Sequence, residues 1–259
     1  METQLTSLLF VALINESFIQ YSSVHIRKFM PQTILIIGNS DGIGAAITRA
    51  LVARGDRVVG ISRSASPLGD TGPRHEILDV TSPEYPELLQ RVMTDEGPFD
   101  VCIYCAAIGS ELTLPDLSRE AHVIEVNFTA MVRTFSALVP AWISRSNGHF
   151  IGLSSLADDF YNQAAPSYTA SKSGFSNYLV AMALKLQEHG VSVTNVRFGY
   201  VDTKLPGNAH KPLMMSTEQA ATHVLHCMNT RPIQLSVPKL AGAILQSMRW
   251  MQSLRVWIS

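Results

Sequence analysis

Charged residues are scarce in this chain. They make up 16% of its 259 residues, and the formal net charge is −1 at pH 7. Without a basic surplus there is no electrostatic attraction for a phosphate backbone, so we expect no nucleic-acid partner. The apolar run Leu8 to Ile14 is too short for a membrane helix of about 20 residues. It also lacks the basic flank and the small-residue cleavage site of a signal peptide, so we expect neither a membrane helix nor a signal peptide in this run.

Cysteine is also rare, with three residues in the chain. Cys102 and Cys105 have the spacing of a redox pair, but they fall on a predicted strand, where residues three apart face opposite sides. We interpret both as core residues of a protein from a reducing compartment, and we expect a cytoplasmic location. The eight histidines form no His-Glu-x-x-His or similar ligand set, so we expect no metal.

The chain has the length and the apolar content of a single α/β domain. Apolar residues make up 46% of it, and a chain of this size buries roughly 70 to 75% of its unfolded surface. Predicted strands alternate with predicted helices, which is the pattern of a doubly wound parallel sheet with helices on both faces. The seven predicted strands are Thr33 to Ile37, Arg57 to Ser62, Arg74 to Leu78, Phe99 to Tyr104, His149 to Leu153, Ser192 to Phe198 and Gln234 to Val237.

A glycine-rich turn follows the first predicted strand. The run Thr33 to Ile37 leads into Gly38-Asn-Ser-Asp-Gly-Ile-Gly44, and a helix-like segment continues from Ala45 to Arg54. Strand, glycine turn and helix in this order let the backbone approach a pyrophosphate, whose charge lies at the helix N-terminus. The sequence therefore predicts that this turn binds a dinucleotide.

A phenol and an ammonium group lie one helical turn apart in Ser167-Tyr168-Thr-Ala-Ser-Lys172, and Ser155 precedes Tyr168 by thirteen residues. Residues four apart share a helix face, so the charge of Lys172 can lower the pKa of the Tyr168 phenol from about 10 toward a working pH. A serine hydroxyl nearby can hold the reacting oxygen. This set can move a proton to or from a carbonyl group, although a Tyr-x-x-x-Lys pair alone also occurs by chance on helix surfaces.

Taken together, these motifs resemble the short-chain dehydrogenase/reductase family from about Thr33 to Thr203. The glycines are spaced Gly-x-x-x-Gly-x-Gly, as in that family, and not Gly-x-Gly-x-x-Gly. The other matching segments are Asp79-Val80, Asp100 to Gly109, Val126-Asn127, Gly148 to Ser155 and Asn195 to Thr203.

The chain departs from the family pattern in two places. Tyr104, Cys105 and Ala107 replace both asparagines and the glycine of Asn-Asn-Ala-Gly after the fourth strand, and Phe198 replaces a proline after the sixth. We expect the first change to weaken cofactor placement or the central sheet, and the second to alter only a detail of the turn. The residues to which the resemblance assigns the chemistry are all present, namely Asn127, Ser155, Tyr168 and Lys172.

The resemblance implies a Rossmann-like fold and hydride transfer between a nicotinamide and a small-molecule carbonyl or alcohol. Tyr168 would protonate the carbonyl oxygen in the reduction, and Ser155 would orient it. Lys172 would bind the nicotinamide ribose and favour the tyrosinate, while Asn127 would support a water path for the proton. A homodimer or homotetramer is also expected. The implied cofactor-binding residues are Gly38, Ser40, Asp41, Gly42, Ile43, Gly44, Ser62, Arg63, Asp79, Val80, Ala106, Tyr168, Lys172, Gly199, Val201 and Thr203.

The end of the second strand predicts the cofactor preference. NAD-specific proteins generally place an acid here for the ribose 2′-hydroxyl, but this chain has the neutral Ser62 followed by Arg63. This pair can attract a 2′-phosphate, so we expect NADP(H), with NAD(H) as the alternative. Asp41 argues the other way, because NADP-preferring relatives often carry a base there. Arg63 could also be a solvated loop residue.

The substrate should contact the segments after the fifth and sixth strands, Leu156 to Pro166 and Tyr200 to Ser216. These segments carry apolar side chains that predict a pocket for a hydrophobic ketone or aldehyde, although the same residues could form a lid packed on the core. The set is Ala157, Phe160, Tyr161, Leu205, Leu213, Met214 and Met215.

Two classes of function remain open. The complete set of proton-transfer residues favours an NADP(H)-dependent oxidoreductase. The altered segment Tyr104 to Ala107 favours the alternative, an NAD(P)-binding regulatory or scaffold protein with little turnover. An epimerase or dehydratase is disfavoured by the glycine spacing and by a C-terminal region too short for a sugar-nucleotide domain.

Both ends of the sequence need a separate interpretation. Residues 1–29 precede the family pattern, and we interpret them as an extension of a cofactor-binding domain at 30–259, because Met30 could start the chain directly before the first strand. The extension is either an added surface helix or an upstream stretch translated by mis-annotation. The apolar tail Ala241 to Ser259 is expected to pack on its own domain or on another subunit, with contact to a membrane surface as the alternative.

Overall fold

A parallel sheet of seven strands organises the part of the chain that the structure describes. The computed structural model describes residues 31–66, 68, 69, 72–109, 111–205 and 214–238. The strands are Thr33–Ile37 (β1), Arg57–Ser62 (β2), His75–Ile77 (β3), Val101–Tyr104 (β4), Gly148–Ser155 (β5), Val191–Phe198 (β6) and Gln234–Val237 (β7). Their order in the sheet is β3-β2-β1-β4-β5-β6-β7, and every neighbouring pair is parallel.

Local sequence signals explain where several helices begin and end. Ser216 and Gln219 form a reciprocal capping box at the start of the last described helix. Gly55 ends the first described helix with a φ of 90°, and Pro166 occupies the first turn of the longest described one. The helices are Gly42–Arg54 (α1), Tyr85–Glu96 (α2), Glu120–Ile124 (α3), Ala130–Ser144 (α4), Pro166–Leu186 (α5) and Thr217–Thr230 (α6), with a π-helical turn at Glu125–Thr129.

Helices cover both faces of the sheet. Leu51 of α1 and Val224 of α6 are buried in one core, whereas Phe135 of α4 and Phe175 of α5 are buried in the other. Residues of β1 alternate between the two cores, as expected for a strand that is buried on both faces. The predicted doubly wound, Rossmann-like α/β fold is therefore confirmed. Cys102 and Cys105 also face opposite sides, as the sequence predicts.

The order of the strands reverses between β1 and β4. The chain moves from β1 outward to β2 and β3, and then returns to the other side of β1 at β4. In such sheets the ligand cleft lies beyond the carboxyl ends of the strands at this switch point. The loops after β1 and β4 approach each other closely here, because an ideal Cβ on Gly38 would lie 2.6 Å from the Ala106 amide nitrogen.

The predicted strand bounds are right for β1, β2 and β7 and differ by one or two residues elsewhere. β3 is shorter than predicted at both ends, since it is an edge strand with a single neighbour. β4 begins only at Val101, and Asp100 before it uses its carboxylate to accept from the Thr33 N–H at 2.9 Å. β5 and β6 are longer than predicted, because they pair along all eight residues of each strand.

Some predictions lie outside the described residues. They concern the extension 1–29, Leu213 and the tail 241–259. None of the described helices combines the length and the apolar character that crossing a membrane requires. Within the described ranges, no three His, Cys, Asp or Glu side chains come together in an arrangement that could hold a metal ion.

Candidate active site

Ser155 and Tyr168 meet at the carboxyl end of β5. Ser155 is the last residue of that strand, and Tyr168 lies in the first turn of α5. The Ser155 hydroxyl lies close enough to the Tyr168 phenol to lower its pKa. Burial raises that pKa and is the larger influence, so the effect of Ser155 only partly opposes the shift. The phenol therefore carries its proton at neutral pH and can act as an acid.

Lys172 is buried one helical turn beyond Tyr168. Its side chain is almost inaccessible, and its Nζ donates to the Leu153 carbonyl at 2.8 Å and lies 6.0 Å from the centroid of the Tyr168 ring. Burial lowers the pKa of Lys172 to about 8, although the negative charge of Asp158 acts in the opposite direction. The sequence predicted that Lys172 would lower the pKa of Tyr168. That pKa is instead raised overall, because burial of the phenol is the largest influence on it.

Asn127 holds the loop after β4 against α5. Its Oδ1 accepts from the Ile108 N–H at 2.8 Å, while its Nδ2 donates to the Ile108 carbonyl at 2.9 Å and to Ser171 Oγ at 3.0 Å. It lies in the π-helical turn, a geometry that is frequent at functional sites. Both N–H groups of the Asn127 amide are engaged, so the side chain clamps two parts of the site together.

Tyr104 and Cys105 occupy the two asparagine positions of the family at the end of β4. The Tyr104 ring is buried, and its hydroxyl donates to the Val126 carbonyl at 2.8 Å, directly before Asn127. Tyr104 therefore stabilises the π-helical turn. Cys105 is close enough to Lys172 for their charges to interact, and burial raises the pKa of its thiol to about 12. Cys105 is therefore neutral at physiological pH.

The glycine turn has the shape that a pyrophosphate requires. Gly38 and Gly42 have φ values of 85° and 52°, which favour glycine. A Cβ on Gly44 would lie 2.0 Å from the Gly38 carbonyl oxygen. Because these positions carry no side chain, backbone N–H groups at the N-terminus of α1 can contact phosphate groups directly. Ser40 and Ile43 are half-buried in the same turn, and the residues present fit a dinucleotide.

The loop after β6 lies against this glycine turn. Asp41 caps α1 by accepting from the Gly42 N–H at 2.8 Å, and its other carboxylate oxygen lies 2.6 Å from Lys204 Nζ. The Thr203 γ-methyl group lies 3.1 Å from the position that a Gly42 Cβ would take. The hydrogen bonds from Lys204 and Gly42 lower the pKa of Asp41. Lys204 thereby balances a negative charge next to the expected phosphate position.

The start of the loop after β6 is held by short-range pairing. The Gly199 N–H donates to the Val237 carbonyl at 2.8 Å, and Val201 is buried and forms a parallel bridge with Met215. Met215 packs against the core, so this member of the predicted apolar set fits the lid interpretation better than the pocket. Phe198, in the proline position of the family, is the buried last residue of β6 and extends the strand.

Ser62 and Arg63 lie at the end of β2, as predicted, but they face different surroundings. The Ser62 hydroxyl is buried and donates to the Ser64 carbonyl at 3.1 Å, with Asn39 Oδ1 at 3.3 Å. Arg63 is exposed. The guanidinium group is therefore accessible to a ligand, whereas the serine hydroxyl is engaged inside the protein.

Asp79, Val80 and Ala106 lie in the loops after β3 and β4. Asp79 accepts from the Thr81 N–H at 2.9 Å and from its hydroxyl at 2.8 Å. Burial raises the pKa of Asp79, but the Thr81 bonds and the charge of Arg63 outweigh burial and lower it overall. Val80 is buried and Ala106 is half-buried. Asp79 is therefore an anion with a fixed orientation and with Arg63 in electrostatic range.

Two charged residues next to the site were missed by the sequence analysis. Arg197 on β6 and Asp158 just after β5 form a buried ion pair, with Arg197 Nε 3.0 and 2.8 Å from the two carboxylate oxygens. A signal was present, because Arg197 interrupts an otherwise apolar end of a predicted buried strand, between Val196 and Phe198. A charge at such a position needs a buried partner, although the sequence does not identify which acid supplies it.

Comparison with known proteins places these features in a family. The profile of the short chain dehydrogenase family matches residues 32–213. The 3-oxoacyl-[acyl-carrier-protein] reductase FabG of Vibrio cholerae is 30% identical over 181 residues, which cover 66% of this chain and 74% of that protein. An uncharacterised oxidoreductase of Staphylococcus saprophyticus is 29% identical over 194 residues, which cover 70% of this chain and 83% of that protein.

Solved structures share the fold. A short-chain dehydrogenase from Streptomyces avermitilis superposes with a TM-score of 0.75 at 21% identity, over 88% of this chain and 96% of that one. A short-chain dehydrogenase from Burkholderia cenocepacia, solved in complex with NADP, also has a TM-score of 0.75, at 24% identity over 87% of this chain and 96% of that one. The chain belongs to the short-chain dehydrogenase/reductase family of NAD(P)-dependent oxidoreductases.

Proposed function

We propose that this protein is an NADP(H)-dependent oxidoreductase that interconverts a carbonyl group and an alcohol on a small apolar substrate. The observation that carries the proposal is the proximity of the Ser155 hydroxyl to the Tyr168 phenol at the carboxyl end of β5, beside the buried ammonium group of Lys172. A protonated phenol next to a second hydroxyl is a suitable proton source for a carbonyl oxygen.

Each residue of this set has a distinct proposed role. When bound, the nicotinamide cofactor supplies hydride chemistry to the carbonyl carbon. Tyr168 donates its phenolic proton to the carbonyl oxygen in the reduction, and Ser155 holds that oxygen with a hydrogen bond. Lys172 supplies the positive charge that stabilises the resulting tyrosinate. Asn127 keeps the loop after β4 in place, and in the oxidation Tyr168 accepts the proton instead.

The proposed preference for NADP(H) rests on Arg63. Its side chain is exposed at the end of β2, and position 62 carries no acid that would accept from the ribose 2′-hydroxyl of NAD. A guanidinium group pairs with phosphate through several N–H donors. Because the Ser62 hydroxyl already donates inside the protein, Arg63 rather than Ser62 is the proposed reader of the 2′-phosphate.

Exposed apolar side chains on the loops after β5 and β6 favour an apolar substrate. Tyr161, Tyr200 and Leu205 are 54%, 50% and 42% exposed on these loops. An ideal Cβ on Gly109 would lie 3.6 Å from Leu205 and 3.9 Å from the Tyr168 ring, and Tyr200 influences the pKa of Tyr168, so the loop after β6 borders the proposed acid. Exposed apolar groups that cluster at a cleft are typical of ligand contact.

A binding and turnover experiment tests the proposal. Purified protein is titrated with NADPH and NADH by fluorescence and is then given apolar ketones, aldehydes and 3-oxoacyl thioesters, the last because of the name of the Vibrio cholerae relative. We expect tighter binding of NADPH and a turnover that Tyr168→Phe lowers by about 100-fold or more, with cofactor affinity retained. Tyr178→Phe, which removes a phenol hydroxyl elsewhere, is the matched control.

The other outcomes have defined meanings. Tight binding without turnover on any member of the panel would favour the NAD(P)-binding regulatory or scaffold protein. An unchanged kcat in Tyr168→Phe would refute the proposed acid, and the absence of cofactor binding would overturn the assignment of the cleft. The proposed homodimer or homotetramer is tested separately by light scattering.

A further inference from the structure

A buried ion pair lies directly behind the proposed catalytic residues. Arg197 on β6 and Asp158 in the 3₁₀ turn that follows Ser155 are 3% and 4% exposed. Arg197 Nε donates to both Asp158 oxygens at 3.0 and 2.8 Å, and its guanidinium also binds Asp159 and Ser236. Desolvating two charges is costly, and apolar residues often replace such a pair without loss of stability. A contribution to stability alone therefore does not explain why this ion pair is present.

Asp158 connects the turn after Ser155 to α5. Its carboxylate accepts from the Ser176 hydroxyl, and its backbone carbonyl accepts from Ser173 Oγ at 2.6 Å. Both serines lie on α5 within one turn of Lys172. The contacts of Asp158 thus fix the position of Ser155 relative to the helix that carries the proposed acid and its lysine.

The charge of Asp158 also acts on this lysine and this phenol. Burial is the largest influence on both groups, lowering the pKa of Lys172 and raising that of Tyr168, and Asp158 raises both. Arg197 balances Asp158 at hydrogen-bond distance. The other groups that face Lys172 or Tyr168 are the Cys105 thiol, the Leu153 carbonyl, the Phe175 ring, the Ser155 hydroxyl and the Tyr200 phenol.

We propose that Asp158 and Arg197 are a pair of positioning residues, an inference that rests on the proposed function. Asp158 holds the Ser155 turn against α5 and supplies the negative charge that keeps Lys172 an ammonium ion. Arg197 limits this charge, so that it does not suppress formation of the tyrosinate at Tyr168. Neither residue is proposed to contact the substrate, and both act through Ser155, Tyr168 and Lys172.

Single and double variants test the pair through shifts of opposite sign. Asp158→Asn removes a negative charge that acts on Tyr168 and Lys172 and leaves Arg197 paired with Asp159, so the alkaline limb of the kcat profile for reduction should move to lower pH by about one unit. Arg197→Met leaves the charge of Asp158 unbalanced, so the limb should move to higher pH by a similar amount. The double variant removes one charge of each sign and should return the limb toward its wild-type position. Arg197→Lys keeps the positive charge and should leave the limb near its wild-type position.

A second readout separates this inference from the proposed function. The ultraviolet titration of tyrosinate, taken as the difference between each variant and the same variant carrying Tyr168→Phe, needs no turnover and should shift in the same directions. Without Tyr168-dependent turnover the proposed function fails, and the titration still decides the role of the pair. If the pair has only a structural role, the variants should lower kcat or the yield of folded protein without shifting the pH profile of kcat or the titration of Tyr168. That result would overturn the inference. Should Arg197→Met not fold, Arg197→Gln carries the same expected shift.

Discussion

Lys172 shows how a buried ammonium group can be tolerated in a site of this kind. Its Nζ has a carbonyl acceptor from Leu153 and lies 5.0 Å from the centroid of the Phe175 ring and 6.0 Å from that of Tyr168. Aromatic faces attract a cation by about 0.5 to 2 kcal/mol, yet burial still lowers the pKa of Lys172 to about 8. Near neutral pH the group is therefore still charged, and it could stabilise an anion at Tyr168 as proposed.

At the same scale, Arg63 is expected to determine the choice between cofactors. Arg63→Ala removes the exposed guanidinium that would pair with the 2′-phosphate, so Kd for NADPH should rise by about 10-fold or more while Kd for NADH is unchanged. Fluorescence titration with both cofactors measures this. Lys185→Ala is the control, since it removes one positive charge from the exposed surface of α5. An equal loss of affinity for both cofactors would assign Arg63 to general electrostatic attraction only.

Gly38 and Gly55 provide a matched pair for the glycine turn, with φ values of 85° and 90°. Nothing lies within 4 Å of a Cβ placed on Gly55, whereas a Cβ on Gly38 would lie 2.6 Å from the Ala106 nitrogen. Gly55→Ala should therefore cost only the backbone penalty of about 1 to 2 kcal/mol. Gly38→Ala should cost about 1 to 3 kcal/mol more, because of the steric overlap, and should abolish NADPH binding. Urea unfolding measures the difference, and equal costs would contradict the close approach of the two loops.

Elements defined by local sequence were predictable, and those defined by distant contacts were not. The strand Thr33–Ile37 and the glycine turn follow from neighbouring residues, and so does the helical spacing of Tyr168 and Lys172. The π-helical turn around Asn127 depends on Tyr104, which is distant in the sequence. The inward-facing hydroxyl of Ser62 likewise depends on the Asn39 side chain. The hydrophobic periodicity of one segment carries no information about hydrogen bonds to residues that are distant in the sequence.

The π-helical turn gives an element-scale prediction for Tyr104. Its hydroxyl is the donor to the buried Val126 carbonyl, so Tyr104→Phe leaves that acceptor without this partner and should destabilise the fold by about 1 to 3 kcal/mol. It should also lower kcat, because the neighbouring Asn127 clamp loosens. Chemical unfolding and initial rates measure both effects. Tyr178→Phe alters a half-buried phenol and should cost less than about 0.5 kcal/mol. If the two variants lower the free energy of unfolding by similar amounts, Tyr104 stabilises the fold through its ring and not through its hydroxyl.

For the whole molecule, the strand order determines which residues can form the site. The carboxyl end of β5 supplies Ser155, and the loops after β1, β4 and β6 supply Gly38, Ala106 and Thr203, because the seven described strands are parallel and end at the same edge. The pairing of β5 with β6 also sets Ser154 opposite Arg197, which brings the arginine to the turn that contains Asp158. The sequence predicted this convergence of loops. It did not predict the ion pair, because the register of two strands distant in sequence depends on the folded sheet.

The last prediction concerns the pH dependence of the whole fold and rests on His149 in β5. Burial, with a smaller contribution from the charge of Arg231, lowers the pKa of His149 to about 3, and the Thr194 hydroxyl lies 2.8 Å from its Nε2. A histidine in the unfolded chain has a pKa of about 6.5. Between pH 6.5 and pH 3 the unfolded chain therefore binds a proton at His149 that the folded protein does not bind, so the free energy of unfolding decreases as the pH falls through this range. This histidine alone should account for about 2 kcal/mol of the free energy of unfolding lost between pH 7 and pH 5. His149→Gln keeps a polar partner for Thr194 and does not titrate, so urea unfolding against pH should show a shallower acid limb. Parallel curves for the wild type and the variant would mean that His149 is not held neutral in the folded state.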